Sequence, residues 1–365
     1  MADPTKSPPL ERPSIIAAHA LIKEHIHYTP VLTNTTLDDL ASQPQSASAL
    51  ANTPWAGQDP SKPTISFWFK CENFQKVGAF KARGAFHALK RLMTEEGWDA
   101  SKGVVTHSSV SLGNRKPRPS PRLRSTHHER PRHDRHALHL HALQNSSHKG
   151  LRRARPLLGL HVRRARSRRR GRIAETGARL IPPYDHPDIM LGQGTLGIEL
   201  QEQVEGLNKG KGLDAVVAPC GGGGMLSGVA LSCEGTGIHV FGAEPSFEGA
   251  DDCRRGLEAG KRIETVKTLT IADGLRTPVG AYPWTVIHDR KLVRQMFSVT
   301  EEQIKAALRL VLERMKIVVE PSAVVGIAAA LYNEDFRRVI EADGGEKGWD
   351  LGVVVSGGNV SVEAL

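Results

Sequence analysis

Three short segments of the sequence combine residue types that could bind and activate a small molecule. The first, APCGGGGMLSG, places four consecutive glycines, Gly221 to Gly224, between an apolar run and a helical pattern. Glycines let backbone N–H groups converge on one point, and the start of the next helix adds its dipole, so we expect a phosphate-binding turn. No Lys-Ser/Thr pair follows, and the GxGxxG spacing is not cleanly met, which argues against a nucleotide P-loop and a dinucleotide site. A tight turn without a ligand is the alternative.

The second segment, ENFQKVGAFKARGAF, places Lys81 between Phe80 and Ala82 at the start of a predicted helix. Small apolar neighbours would desolvate the amine and favour its use as a nucleophile. A surface lysine that extends its amine into water is the alternative. The third segment, VVVSGGN, ends a predicted strand at Ser356, and a hydroxyl at the carboxyl end of such a strand faces the usual ligand crevice of an α/β sheet.

The three segments together are more specific than any one of them. A lysine could hold an aldehyde, a glycine turn could hold a phosphate, and a strand-end hydroxyl could hold a ring nitrogen. Pyridoxal phosphate is a cofactor that needs all three. The sequence therefore predicts a pyridoxal-phosphate site.

Alternating apolar strands and amphipathic helices must position these segments. The pattern predicts an α/β protein with open, mostly parallel twisted sheets and helices on both faces. We expect a disordered tail over 1–13, a large cofactor domain over 14–101 and 186–365, and a small substrate domain over 102–185. Residues 42–63 are rich in Ser, Gln, Ala and Pro and are predicted to form a surface loop.

Six segments occur together in one order: FQKVGAFKARGA, APCGGGGMLSG, GAEPSFEGADDC, TIADGL, VVEPSA and VSGGN. They resemble the serine racemase and serine/threonine dehydratase family, which has the tryptophan-synthase-β-like fold, and the resemblance covers residues 14–109 and 173–365. It implies that Lys81 is the Schiff-base lysine and that Ser356 meets the pyridine nitrogen. It also implies further cofactor-binding residues: Phe80 and Glu320 near the ring, and Gly221, Gly222, Gly223, Gly224 and Met225 at the phosphate.

The segment EPSFEGADDC also suggests a cation site. Glu244 and Asp252 are hard oxygen donors, and the carbonyl of Ala250 with water would complete a site suited to Mg²⁺ or Mn²⁺. The spacing alone equally fits a solvated acidic loop. The resemblance favours the cation, because the racemases of the family have such a site at this place.

The resemblance implies racemisation or dehydration of serine or threonine, giving D-serine or a 2-oxo acid and ammonia. A threo-3-hydroxyaspartate ammonia-lyase is the alternative within the family. Family racemases place their second acid in a Ser-Ser-Gly-Asn-His loop, which implies a catalytic role for Ser109 and cofactor binding by Asn114. Here Val110, Ser111 and Leu112 interrupt that loop, and Arg115 replaces its histidine. The resemblance further implies a homodimer.

The loop leads into a basic segment, residues 116–172, rich in Arg, His, Pro and Ser. Residues 115–172 hold 19 Lys and Arg against two acids, so the formal net charge of +10 comes from this block and the rest of the chain is at −7. A nucleic-acid-binding arm is one interpretation, and it would make the chain a non-enzymatic, basic nucleic-acid-binding protein, but few aromatic residues could stack bases. A histidine metal cluster is another, but the eight histidines show no repeated spacing.

An out-of-frame or mis-spliced translation of the small domain is the third interpretation, and it is the one we favour. If the codons that can encode HDRHALHLHALQN are read one nucleotide later, they can encode a strand ending in VMP and a helix that starts with Ser/Thr-Pro-x-Lys. Both features are found in the family. A segment of this composition cannot bury enough apolar surface to offset its chain entropy. We therefore expect the chain as written to be poorly stable and nearly inactive.

The sequence also bears on the cellular location of the protein and on the state of its cysteines. The sequence has no apolar run long enough to span a bilayer and no signal-peptide pattern at its start, so we expect a cytosolic protein that acts on small amino acids. The four cysteines are scattered and form no CxxC pair. Free thiols fit this spacing better than disulfides or a zinc site.

Overall fold

The computed structural model of the chain describes residues 3–99, 102, 104–106 and 179–361. The helices in these ranges are α1 (Arg12–Ile22), α2 (Thr35–Ser42), α3 (Ala47–Leu50), α4 (Lys81–Met93), α5 (Pro187–Leu207), α6 (Gly224–Cys233), α7 (Asp252–Glu258), α8 (Ala281–Trp284), α9 (Glu301–Leu310), α10 (Val325–Tyr332) and α11 (Glu334–Gly344). The strands are β1 (Val31–Leu32), β2 (Ile65–Cys71), β3 (Val104–Thr106), β4 (Arg179–Ile181), β5 (Ala215–Pro219), β6 (His239–Pro245), β7 (Gln295–Val299) and β8 (Trp349–Val355).

A six-stranded sheet in the order β1-β2-β8-β5-β6-β7 forms the centre of the protein. Strand β1 is antiparallel to β2, and the other neighbouring pairs are parallel. Parallel strands that are covered on both faces are apolar throughout, as in the fully buried run AVVAP of β5. The predicted α/β fold with a mostly parallel sheet is confirmed.

Helices cover both faces of this sheet. Alternate residues of a strand point to opposite faces, so Val217 packs in one core with α2, α9, α10 and α11, while its neighbour Val216 packs in the other with α1, α5 and α6. Helices α6 and α10 are apolar on all sides because each is buried between the sheet and its neighbours. The sheet therefore separates two cores.

A second, two-stranded parallel sheet pairs Val104 of β3 with Arg179 of β4. It falls in the range 102–185 that we predicted to be the small domain. Ile181 packs against Ala88 of α4 and Ile189 of α5, which ties this sheet to the main body. The predicted site residues Ser109 and Asn114, and the basic segment 116–172, lie outside the described residues.

Two segments predicted to be irregular contain local structure. Within the predicted tail, Pro4–Lys6 form a 3-10 helix, and Arg91 donates a hydrogen bond of 2.7 Å to the carbonyl of Lys6. Within the predicted surface loop 42–63, helix α3 forms, and Leu50 and Trp55 are buried. The surface-loop prediction was therefore wrong for this part, because two apolar side chains pack inward.

Strands β2, β8, β5 and β6 are neighbours and run in the same direction, so their carboxyl ends share one edge of the sheet. Ligands of open α/β sheets bind outside this edge. The segments predicted to carry chemistry follow these strands: Lys81 after β2, Ser356 after β8, and the glycine turn after β5.

Candidate cofactor site

Backbone hydrogen bonds join the turn before α4 to the residues that follow β8. The backbone N–H of Phe80 donates to the carbonyl of Ser356 at 3.1 Å, and the N–H of Gly358 donates to the carbonyl of Gly78 at 2.9 Å. Gly78 has a φ of +71°, a left-handed conformation that glycine adopts without strain. These bonds hold Lys81, the first residue of α4, beside Ser356.

Lys81 is half-buried, with its Nζ atom 5.3 Å from the centroid of the Phe80 ring. Among the described residues, the amine makes no hydrogen bond and no ion pair. The small apolar residues predicted around Lys81 therefore enclose its side chain only in part. The amine remains available to a ligand.

The glycine turn closes another side of the same cavity. Gly223 has a φ of +82°, and a Cβ atom on Gly222 would lie 2.4 Å from the ring of Tyr184. Within the described ranges, the N–H groups of Gly221, Gly222 and Gly223 meet no hydrogen-bond acceptor. Helix α6 begins directly after them, so free donors and a positive helix end converge. This arrangement fits the phosphate group of pyridoxal phosphate.

Glu320 and Ser356 complete the floor of the cavity. Ser356 is 3% exposed, and its hydroxyl has no hydrogen-bond partner in the described part of the chain. The N–H of Glu320 donates to the carbonyl of Gly357 at 3.0 Å. A Cβ atom on Gly357 would lie 2.9 Å from Oε1 of Glu320, so the carboxylate approaches the strand-end turn closely.

One cavity thus brings together the predicted cofactor residues that fall in the described ranges: Phe80, Lys81, Gly221, Gly222, Gly223, Gly224, Met225, Glu320 and Ser356. Their roles remain predictions. Sequence reasoning missed other lining residues: Pro183, Tyr184, Ile189, Gln193, Pro219, Gly274, Leu275, Thr277 and Ser322. Of these, Gly274 and Leu275 belong to TIADGL, a segment that carried the resemblance but was assigned no role.

The predicted cation residues Glu244, Ala250 and Asp252 are all buried. Glu244 accepts hydrogen bonds from the backbone N–H groups of Cys253 and Arg254, and Asp252 Oδ2 accepts one from Val279 at 3.0 Å. Asp252 Oδ1 is buried without a partner among the described residues. Burial raises the pKa of Glu244 well above its usual range and that of Asp252 to about 7. An oxygen without a partner in a buried acidic pair fits a cation, and the Mg²⁺ or Mn²⁺ site stays a prediction.

A buried ionic cluster beneath α4 was also missed by the sequence. The guanidinium of Arg83, 0% exposed, donates to both oxygens of Glu72 at 2.8 Å and to Glu199 at 2.7 and 2.8 Å. Lys70 donates to the same Glu199 at 2.7 Å. Although burial opposes ionisation, these contacts, with His19, hold the pKa of Glu199 at about 2. The cluster joins β2, α4 and α5, and so fixes the helix that begins at Lys81.

The fold and the cavity define the class of the protein. A lysine, a glycine turn and a strand-end hydroxyl meet at the carboxyl edge of a parallel sheet, as in the fold type II pyridoxal-phosphate enzymes. Residues 157–347 match the family described as "Pyridoxal-phosphate dependent enzyme". The chain belongs to this family. No helix in the described ranges is long and apolar enough to cross a membrane.

Individual relatives are similar over nearly the whole chain. Serine racemase of Dictyostelium discoideum is 35% identical, across 95% of this chain and 94% of the relative. L-threo-3-hydroxyaspartate ammonia-lyase of Saccharomyces cerevisiae is 34% identical, across 96% and 93%. The crystal structure of the D. discoideum racemase superposes with a TM-score of 0.68 at 32% identity, across 96% of this chain and 99% of that one. The maize serine racemase also gives 0.68, at 31% identity, across 97% and 96%. A threonine deaminase crystal structure gives 0.62 at 28%, across 96% and 98%.

Proposed function

We propose that the protein, with its small domain translated in the correct frame, racemises serine, dehydrates serine or threonine, or does both. Racemisation gives D-serine, and dehydration gives a 2-oxo acid plus ammonia. The observation that carries the proposal is the free amine of Lys81 in the same cavity as the glycine turn. The similarity to a serine racemase and to a threonine deaminase supports the substrate class. The same resemblance implies a homodimer, and the cytosolic location stays a prediction made from the sequence.

Pyridoxal phosphate, when bound, withdraws electrons from the Cα atom of an amino acid attached to it. The N–H groups of Gly221 to Gly224 would hold its phosphate, and the ring of Phe80 would pack beside its pyridine ring. The hydroxyl of Ser356 would meet the ring nitrogen without a formal charge. A neutral partner does not favour protonation of that nitrogen, which moderates the electron withdrawal and suits loss of water or reprotonation at Cα.

Lys81 has two tasks in this proposal. Its Nζ atom would hold the aldehyde of the cofactor. Once the amino group of the substrate has displaced it, the freed amine would accept the α-proton as a general base. Racemisation also needs an acid on the opposite face of Cα, the role predicted for Ser109. Dehydration needs no second acid at Cα, because no proton returns there; the β-hydroxyl takes up a proton instead and leaves as water.

Ammonia loss from threo-3-hydroxyaspartate is the second candidate, and the similarity to the S. cerevisiae ammonia-lyase favours it. That substrate differs from serine by one carboxylate on Cβ. A cationic side chain near the β-carbon would therefore favour hydroxyaspartate, and a neutral one would favour serine.

The experiment begins with resequencing the transcript across residues 105–175. The chain as written and the chain with the corrected segment are purified with pyridoxal phosphate. L-serine, L-threonine and L-threo-3-hydroxyaspartate are supplied separately, and 2-oxo acid, ammonia and D-serine are measured. We expect turnover of serine or threonine by the corrected chain and nearly none by the chain as written.

Two results would contradict these expectations separately. A corrected chain that turns over only hydroxyaspartate, or none of the three, would overturn the proposed serine and threonine chemistry. Rapid turnover by the chain as written, or a transcript that encodes residues 116–172 unchanged, would overturn the frame interpretation while leaving the proposed reaction intact.

A further inference from the structure

Two cysteines that lie apart in the sequence meet beside the glycine turn. The Sγ atoms of Cys220 and Cys253 and a carboxylate oxygen of Glu244 lie within 4.8 Å of one another, and all three residues are 0% exposed. Cys220 follows β5 and directly precedes Gly221, Glu244 lies in the neighbouring strand β6, and Cys253 is the second residue of α7. All four cysteines are free thiols, as the sequence predicted, but their spacing gave no sign that these two meet.

The carboxylate of Glu244 has no cationic partner among the residues that the structure describes. Its hydrogen-bond donors there are the backbone N–H groups of Cys253 and Arg254, and no basic side chain of those ranges forms an ion pair with it. A buried carboxylate without a cation is costly, since two amide donors do not replace its hydration. Asp252, next to Cys253, adds a buried carboxylate oxygen, Oδ1, that has no hydrogen-bond partner among the described residues.

We propose that Cys220, Glu244 and Cys253 form a binding site for a divalent cation of the zinc class. Two sulfur donors and one carboxylate oxygen are a ligand set that Zn²⁺ accepts in four-coordinate sites, with a fourth position for water or another oxygen. Mg²⁺ and Ca²⁺ prefer oxygen ligands alone. Binding converts both thiols to thiolates and releases their protons to solvent.

This site differs from the predicted Mg²⁺ or Mn²⁺ site, which consists of Glu244, Ala250 and Asp252. Both sites need the carboxylate of Glu244, so a cation held by the two sulfurs and a hard cation beside Asp252 compete for it. The thiol site would also tie the residue preceding the phosphate turn to the start of α7. It does not depend on the proposed reaction, because no substrate enters the argument.

Cadmium is the suitable probe, because the histidine-rich segment 116–172 could bind Zn²⁺ independently. Thiolate-to-Cd²⁺ charge transfer gives an ultraviolet band that reports sulfur ligands only. The full chain, with its cofactor, is reduced, stripped by a chelator and equilibrated with increasing Cd²⁺ over hours, since the site is closed to solvent. We expect a saturable difference band at about one equivalent.

Three variants locate the ligands. Cys220→Val and Cys253→Ser should each weaken Cd²⁺ binding at least about tenfold, since even residues that only support metal ligands cost that much. Cys233→Ala is the matched control, because Cys233 is also buried but lies at the far end of α6. It should leave the band unchanged.

A second measurement uses the unaltered chain, so that it tests the proposal even if a cysteine variant fails to fold. Alkylation of the unaltered chain, followed by peptide mass analysis, should show that Cd²⁺ protects Cys220 and Cys253 but not Cys71 or Cys233. Absence of the band, protection of neither thiol, or displacement of Cd²⁺ by a modest excess of Mg²⁺ would each overturn the proposal.

Discussion

The backbone N–H of Phe80 donates a hydrogen bond to the carbonyl oxygen of Ser356 at 3.1 Å. This bond joins the residue before the predicted catalytic lysine to the residue predicted to contact the cofactor nitrogen. The two are far apart in the chain, yet β2 and β8 are paired neighbours whose carboxyl ends coincide. Strand pairing and this backbone bond therefore bring together the residues that carry the amine and the hydroxyl.

Replacing Lys81 by arginine should remove covalent attachment of pyridoxal phosphate and lower turnover at least about a hundredfold, because the guanidinium cannot form the bond or accept the α-proton. Borohydride reduction followed by peptide mass analysis measures the attachment. Lys76→Arg is the matched control, since Lys76 also lies over an aromatic ring, 5.7 Å from the centroid of Phe86, but does not line the cavity. Attachment that persists in the Lys81 variant would contradict the assignment.

Replacing Gly221 by alanine should weaken cofactor binding. The added Cβ would lie 2.8 Å from the Cα of Leu275, which is backbone and cannot turn aside, so the phosphate turn must move. We expect the dissociation constant of pyridoxal phosphate to rise at least about tenfold, the equivalent of about 1.4 kcal/mol. Equilibrium dialysis measures it.

The control for that substitution is Gly206→Ala. Gly206 lies in α5 with no atom within 4 Å of an added Cβ, so cofactor affinity should stay as in the unaltered chain. If the Gly221 variant bound pyridoxal phosphate as tightly as the unaltered chain, the turn would not be the phosphate-binding site.

Replacing Arg83 by alanine should lower the free energy of unfolding by about 3–5 kcal/mol, because it leaves the buried carboxylates of Glu72 and Glu199 without their main cation. Urea unfolding monitored by circular dichroism measures the loss. Arg309→Ala is the comparison: the side chain of Arg309 is 78% exposed in its ion pair with Glu313, and its removal should change stability little. A small effect at Arg83 would contradict the proposed anchoring of α4.

Stability should fall in acid through Glu199. Its pKa is about 2 in the folded protein, below the ordinary value of 4.5, so its contribution is complete above pH 4.5 and is lost as the pH falls towards 2. The urea midpoint should therefore decrease over this range, and Glu199→Gln should flatten that dependence. Glu264→Gln, at a side chain that is 74% exposed, should not. Parallel pH profiles for the two variants would contradict the expectation.

The sequence predicted the local elements that bear the site. Apolar runs that end in glycine marked β5 and β8, and the run FKARGAF marked α4, because these patterns depend on neighbouring residues alone. The loop prediction over 42–63 failed at Leu50 and Trp55, since their burial depends on distant partners such as Asp335, which accepts a hydrogen bond from the indole of Trp55 at 2.8 Å.

What the sequence determined by itself was the α/β class, the three segments that could hold pyridoxal phosphate and the family they resemble. Only the tertiary structure decided that Arg83 lies between Glu72 and Glu199, and that Cys220 meets Cys253 beside Glu244. The reason is physical. A residue's secondary structure follows from its neighbours along the chain, whereas the partners of a buried charge or thiol are brought to it by strand order and helix packing.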